Sequence, residues 1–544
     1  MKGDKLEFVY FSSEEPPKFS GFTGYAFTQE NFIASKEISE IEVADGCEGA
    51  YVSWIKKGAS IKFGTDWNGS GRWFLYKSSK VKSFWALSNS LLLLFENVRS
   101  RGMPTTIDQD MIDYWGFLGG FTQQLHTNET AVSEIYLVSR WENIELKTNM
   151  LGKKSISVIE RARGRAVRES YEVALREYLS ENLRIMRSLL TTGTDLYFDL
   201  SGGLDTRVTF SFASHLIKEN QAFKKRIHVF SNRRPSFKKE FELASAIVKD
   251  LGMELEPRPG RDWSTYETPP LRRWELNRLG QYALSTTIGA ASFDTGKVRI
   301  SGGGGENYRD FWVKWGSSVE ELMKRRKSIL KRDNLNRCVI SQRINKNLDR
   351  LMKFYPSNID RLTVLYREFR GRFHTAIPAT EEILLFPLSG RSMDSLADVA
   401  PEGHFKKKQV FYDIIYNLDR NLLNYDFDQE SKQPTNENLE NLTKVTFHKG
   451  NEPFSKVTFS SRYSSAHDLK ASRSEFLTKI LDFENFLPDK YRITHPPFSR
   501  KIEQFRRRGF LESQSDIQSL QFVYLVGAIA RAEVRHSPVE DDQV

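Results

Sequence analysis

The chain has 544 residues, 39% of them hydrophobic and 28% charged, with 38 Phe, 20 Tyr and 10 Trp; it is too long for one core and too aromatic to be intrinsically disordered, so two folded domains are expected. Its two cysteines, Cys47 and Cys338, exclude a CxxC zinc or redox motif and permit one disulfide at most. The net charge of +10 is scattered, and its densest runs, "KRRKSILKR" (323–331) and "FRRRGF" (505–510), read as solvated helix faces, so a nucleic-acid partner is not expected, although a phosphate-rich ligand suits the surplus.

The amino terminus, "MKGDKLEFVYFSSEEPPKF", has no apolar core of signal-peptide length, and no later run approaches the roughly 20 apolar residues of a membrane helix. A cytoplasmic protein without a membrane span is expected. Residues 1–150 are rich in aromatic and β-branched residues between turn signals, which predicts a strand-rich first domain with a helix near "FWALSNSLLLLFENVRS". Alternation in "SIKFGT" and "RWFLYK", joined through Asn68-Gly69-Ser70-Gly71, predicts a hairpin. Residues 157–190 show apolar positions at three- and four-residue spacing and predict a helix that connects to the second domain, 151–544. There a strand (195–200), a helix (207–217), a strand (226–231), a helix (239–251) and a strand (297–300) predict a parallel sheet covered by helices. The rest predicts helices, with a loop-rich insert around 425–460 and an acidic tail, "VEDDQV".

The first strand of that sheet runs into Ser201-Gly202-Gly203-Leu204-Asp205-Thr206. In a parallel sheet ligands sit at the carboxyl ends of strands, where a glycine turn lets backbone N–H groups approach an anion and the next helix presents its positive end. The hydroxyls of Ser201 and Thr206 add two donors. An aspartate in such a cradle repels phosphate unless a cation lies between them, so Asp205 points to Mg²⁺ and the inferred ligand is Mg-pyrophosphate on a nucleotide. A second strand, ending in "VRI", runs into "SGGGGENYRDFW" (301–312), and two glycine turns on neighbouring strands can clasp a nucleotide from two sides.

The first turn resembles SGGxDS, the pyrophosphate loop of enzymes that split ATP into AMP and pyrophosphate, with Thr206 for the final serine. With the second turn the chain resembles the asparagine synthetase family, which includes β-lactam synthetases and lasso-peptide cyclases. The likeness extends through "FGTDWNGSGRWFLYK", "AVSEIYLVSRWENIEL" and "EEILLFPLSGRSMDSLADVAPEGHFKKKQVFYDII". It implies an α/β protein: a strand-rich Ntn-like (αββα) amino-terminal domain, then a parallel-sheet ATP-pyrophosphatase (adenine nucleotide alpha hydrolase-like) domain with a helical carboxyl-terminal part. It also implies ATP and Mg²⁺ as cofactors, with Leu200, Ser201, Gly202, Gly203, Leu204, Asp205, Thr206, Ser301 and Gly302 around the nucleotide and Asp205 and Glu306 at the metal. "KVTFHKGN" from Lys444 is similar to the stretch holding the family's catalytic lysine, with Lys449 and Lys456 as competitors; a fixed ammonium there would stabilise the oxyanion and leaving phosphate of acyl transfer. Catalytic roles thus fall to Lys444 and Glu306.

Two departures narrow the expectation. Glutamine-dependent members expose a cysteine after the initiator methionine, whereas this chain begins Met1-Lys2-Gly3 and lacks the RGPD-type motif, so the first domain reads as a shell without glutaminase activity. Gly303 stands where asparagine synthetases carry a glutamate tied to ammonia handling, and Asn307 replaces a second acid. The expected activity is therefore an AMP-forming ligase that adenylates a small-molecule, peptide or glycan carboxylate for attack by an amine or ammonia. A nucleotide-binding scaffold and a tRNA-modifying enzyme are the alternatives, Arg207 is open between a phosphate contact and a surface ion pair, and a homo-oligomer stays open.

Overall fold

The structure is a computed structural model, and it describes residues 8–39, 42–152, 154–161, 169–257, 263–264, 268–282, 296–309, 311–328, 337–356, 359–379, 381–447, 454–460, 467–483, 503, 507 and 514–535. Alternating apolar residues in the first part build two sheets that stack face to face. One has four strands in the order Tyr10–Ser12, Trp85–Ser88, Phe74–Lys77, Ile135–Leu137. The other has seven, in the order Lys154–Glu160, Glu142–Thr148, Ser60–Thr65, Glu48–Lys57, Gly21–Phe27, Asn31–Ser39, Lys456–Ser460. Val52, Trp54, Ile61 and Phe63 of the larger sheet meet Leu75, Trp85 and Leu87 of the smaller one between the layers. Because successive strand residues point to opposite faces, Phe74, Tyr76 and Ala86 pack on the helix Leu91–Ser100. Tyr25, Phe27, Phe32 and Ala34 pack on the helix Tyr171–Thr191. The layers run helix, sheet, sheet, helix.

Two sequence expectations are corrected here. Ser60–Thr65 and Phe74–Lys77 do not form a hairpin: the first pairs with Glu48–Lys57 and Glu142–Thr148, the second with Trp85–Ser88 and Ile135–Leu137. Asn68-Gly69-Ser70-Gly71 instead crosses between the sheets, bent by buried Asp66, whose carboxylate accepts from Ser70 N at 2.9 Å and Gly71 N at 2.7 Å. The tight hairpin turn lies one strand earlier, at Gly58 with φ +56°, a left-handed conformation that glycine adopts without strain. Residues 157–160 are not helical but finish the edge strand Lys154–Glu160. "KSISVIE" alternates polar with β-branched residues, which suits a half-exposed strand, and the helix starts only at Tyr171, where Ser170 Oγ accepts from Val173 N. The strand-rich part thus continues past residue 150.

The second part holds a parallel sheet in the order Ile227–Phe230, Asp195–Asp199, Lys297–Ile300, Leu384–Leu385. Leu196 and Phe198 pack with Val208 and Phe212 of the helix Leu204–Glu219 and with Ala244, Ile247 and Val248 of the helix Lys238–Asp250. On the other face Arg299 bridges neighbouring strands, with Nε 2.8 Å from Asp199 and Nη1 2.6 Å from Glu382, just below both glycine turns.

The two parts are sewn together. Lys456–Ser460, from the insert expected to be loop-rich, adds a parallel edge strand beside Asn31–Ser39, and Tyr25 OH donates to Leu384 O at 2.8 Å and accepts from Leu384 N at 3.1 Å. Among the described residues no helix is long and apolar enough to cross a membrane.

Candidate functional site

Leu200, buried, closes its strand by donating to Phe230 O at 2.8 Å. The chain then turns through Ser201–Gly203 into the 16-residue helix Leu204–Glu219, whose N-cap, Gly203, supplies no side-chain cap. Its first-turn donors are left to a ligand or to solvent. The turn is braced from within: Ser201 Oγ and Thr206 Oγ1 lie 3.0 Å apart, Thr206 Oγ1 accepts from Ser201 N at 3.1 Å, and Ser201 Oγ accepts from Gly203 N at 3.1 Å. Leu204 is buried in the core beneath.

The second turn rises from the neighbouring strand, Ser301 donating through its N–H to Leu385 O at 3.1 Å. Its glycines permit direct contact with the first: a Cβ on Gly302 would lie 2.9 Å from Asp205 C and Thr206 N, and one on Gly305 would lie 2.5 Å from Asp205 Oδ1. At Gly303 a Cβ would lie 2.9 Å from the Phe386 ring, so a glutamate has no room there without moving Phe386. Asn307 is buried, its Nδ2 donating to Ser389 Oγ at 3.2 Å and its carbonyl accepting from Arg367 Nε at 2.6 Å. It braces the turn against Ser389 and Arg367.

Electrostatics converge on Asp205. Its Oδ2 accepts from Arg309 Nη2 at 2.6 Å, and Arg309 Nη2 is 3.8 Å from Glu306 Oε1. Asp205 Oδ1 is buried and has no partner. Burial pushes the Asp205 carboxyl up to about 7, with Arg309 opposing, Glu306 adding and Lys432 opposing more weakly. Magnesium takes one or two carboxylates and completes its shell with waters and phosphate oxygens. An orphaned Asp205 oxygen with Glu306 sharing the same guanidinium fits that donor set, whereas among the described residues no group of three His, Cys, Asp or Glu could hold a metal from protein ligands alone.

The sequence reading missed the cations that border the turn. Lys432 Nζ sits 2.9 and 2.8 Å from the two Asp428 oxygens and 3.9 Å from where a Gly203 Cβ would be. Asp428 N donates to Gly202 O at 2.9 Å, and Lys239 Nζ donates to Asp428 O at 3.1 Å. Arg207 resolves as a clamp for this segment: fully buried, it donates to Leu422 O (3.3 Å), Tyr425 O (2.8 Å) and Asp426 O (2.5 Å) and stands 3.6 Å over the Phe427 ring. Lys408, the one non-glycine with positive φ (62°) among the described residues, donates to Ser431 O. Burial first, then Arg309 and Lys432, lower its pKa. The four-residue spacing of Asp428 and Lys432 inside the insert was the available signal.

Lys444 is exposed. Its neighbours are tied to the helix Gln409–Asp419, Thr443 N to Asp413 Oδ1 at 3.0 Å and Val445 N to Asn417 Oδ1 at 2.9 Å, and no described contact joins Lys444 to either glycine turn. Lys456 lies on the added edge strand, and Lys449 lies outside the described residues. Both cysteines are free, Cys47 half-buried with its thiol pushed up by burial and Cys338 exposed. Compared with known proteins, the chain matches no family model and no curated protein.

Proposed function

We propose that the protein is an ATP-dependent, amide-forming ligase of the asparagine synthetase type, which adenylates a carboxylate with release of pyrophosphate and passes the acyl group to an amine or ammonia with release of AMP. The observation that carries this reading is the meeting of the two glycine turns, on adjacent parallel strands, at one half-paired carboxylate: Gly302 against the backbone of Asp205 and Gly305 against its Oδ1. The uncapped helix start and the hydroxyls of Ser201 and Thr206 are where phosphates would rest. Lys432 and Lys408 border them and offset their charge. Asp205 and Glu306 would hold magnesium, which supplies charge neutralisation at the leaving pyrophosphate. The helix, sheet, sheet, helix layering supports an Ntn-like first domain. Lys444, with no described contact to either glycine turn, keeps its expected place at the acyl-transfer step.

A nucleotide-binding scaffold is the second reading, favoured by the arginine that stands between Asp205 and Glu306. Exchange of labelled pyrophosphate into ATP with Mg²⁺, across aspartate, hexuronic acids, β-amino acids and a peptide with a side-chain acid, separates the two. Exchange that depends on one carboxylate is expected. ATP binding with silence across the panel would leave the scaffold, and no ATP binding would remove both.

A further inference from the structure

Arg309 is the residue at this site that the resemblance assigns no task, and its position is unusual for a structural arginine. Its Nε donates back to Gly305 O at 3.2 Å and its guanidinium carbon stands 5.4 Å from the Phe411 ring centroid, so two contacts hold the side chain whatever the carboxylates do. Only Nη2 reaches the acids, 2.6 Å from Asp205 and 3.8 Å from Glu306, and Nη1 has no partner among the described residues. The half that does bond occupies the point on which the two carboxylates converge. A divalent ion needs those same two groups, and Asp205 keeps one oxygen unpartnered beside them.

Resting on the ligase reading, we infer that Arg309 is the resident counter-ion of the Asp205–Glu306 pair and a phosphate ligand of the incoming nucleotide: it neutralises the carboxylates in the free protein and turns to the phosphates when nucleotide arrives, which leaves the carboxylates to a metal. Two like-charged carboxylates this close are costly without a cation, and a guanidinium that gives them up keeps its anchors on Gly305 O and Phe411 while its planar fork meets phosphate oxygens. Lys408 and Lys432 stand on the other sides of the same space, near enough to act electrostatically on Arg309 or on Asp205. Bare metal and arginine therefore compete, whereas nucleotide and arginine cooperate. An ordinary structural ion pair would compete with the metal but would not strengthen nucleotide binding.

The test follows from those opposite signs. In Arg309→Met, bare Mn²⁺, followed by its electron paramagnetic resonance without nucleotide, should bind at least about tenfold more tightly. ATP in EDTA, followed by calorimetry, should bind at least about tenfold more weakly, the size of one charge-assisted hydrogen bond. Arg309→Lys, which keeps the charge and loses the fork, should fall between, and it stands in if the methionine variant does not fold. If the wild type binds Mg-ATP but the variants leave both affinities within about twofold, the inference is overturned and the ligase reading stands. If the wild type binds no nucleotide under any condition, both are overturned.

Discussion

Asp205→Asn should make the metal-free protein more stable at pH 8 and abolish its chemistry. Burial raises the Asp205 carboxyl from 3.8 to about 7, although its side chain is only 18% exposed and already paired with Arg309 at 2.6 Å; the help from Arg309 is therefore contained in that value. A carboxyl whose folded pKa lies above its unfolded one holds its proton more tightly in the folded state. It costs nothing well below pH 4, becomes progressively unfavourable as pH rises, and levels off above pH 7. At about 1.4 kcal/mol per pH unit the plateau is a few kcal/mol, more than half of which develops between pH 5 and pH 8. Asparagine is neutral throughout, nearly the same shape, and keeps an acceptor for Arg309. Scanning calorimetry in EDTA at pH 5 and pH 8 should show the variant ahead of the wild type at pH 8 by a few kcal/mol in its first transition, with most of that margin gone at pH 5. The same protein should give no ATP–pyrophosphate exchange. A variant no more stable at pH 8, or a margin equal at both pH values, would refute the idea that this carboxylate is held ionised at the expense of the fold.

Arg140→Met should cost about 3–5 kcal/mol, the usual penalty for unpairing a buried ion, because it leaves Glu368 (3.0 Å) and Asp394 (3.6 Å) without their cation. Arg140→Met with Glu368→Gln should recover part of the loss, and thermal melts that move by less than about 1 kcal/mol would show that the pair is dispensable. Lys432→Met should weaken ATP binding about tenfold while Lys444→Ala changes it by less than twofold; calorimetric titrations with the order reversed would return the phosphate role to Lys444.

What the sequence makes legible follows the range of the interactions. The strand, turn and helix at 195–219 are local: apolar alternation, two glycines and a helix start lie within one stretch, and the two turns fall on paired strands as expected. The cations are not local. Arg309 bonds Asp205, Lys432 acts on it electrostatically and Lys408 acts on Arg309; they come from three separate segments, brought there by Phe411, by the Arg207 clamp on 422–426 and by Ser431 O, and only the spacing of Asp428 and Lys432 marks one of them in the sequence. The crossover at 66–73 was misread for a similar reason, since Asn-Gly between alternating stretches is a hairpin signal until Asp66 captures both following N–H groups. Residues 157–160 open a stretch whose apolar positions recur at three and four residues, yet pairing with Glu142–Thr148 outweighs that helical pattern at a sheet edge.

The same long-range logic applies where the strand-rich part meets the second glycine turn. The second glycine turn continues into Tyr308, whose hydroxyl donates to Asp394 Oδ1 at 2.8 Å; Asp394 Oδ2 accepts from Trp67 Nε1 of the first domain at 2.8 Å. Arg140, also of the first domain, lies between Asp394 and Glu368, and Trp141 Nε1 donates to Glu368 at 2.8 Å. Glu368 belongs to Tyr366–Gly371, a π-helical turn of a kind that recurs at functional sites. The same turn carries Arg367, which bonds Asn307 O and stands 4.3 Å over the Tyr308 ring, and it ends at Gly371, where a Cβ would lie 1.9 Å from Asn307 Oδ1. Arg140, Glu368 and Asp394 thus form one buried charge cluster that spans the boundary between the two parts. Removing residues 1–150 would therefore take Arg140 and Trp141 from Glu368, and Arg140 and Trp67 from Asp394, the carboxylate that accepts from Tyr308 of the second turn. A buried network that spans both parts thus ties the packing of the strand-rich part to the position of the second turn.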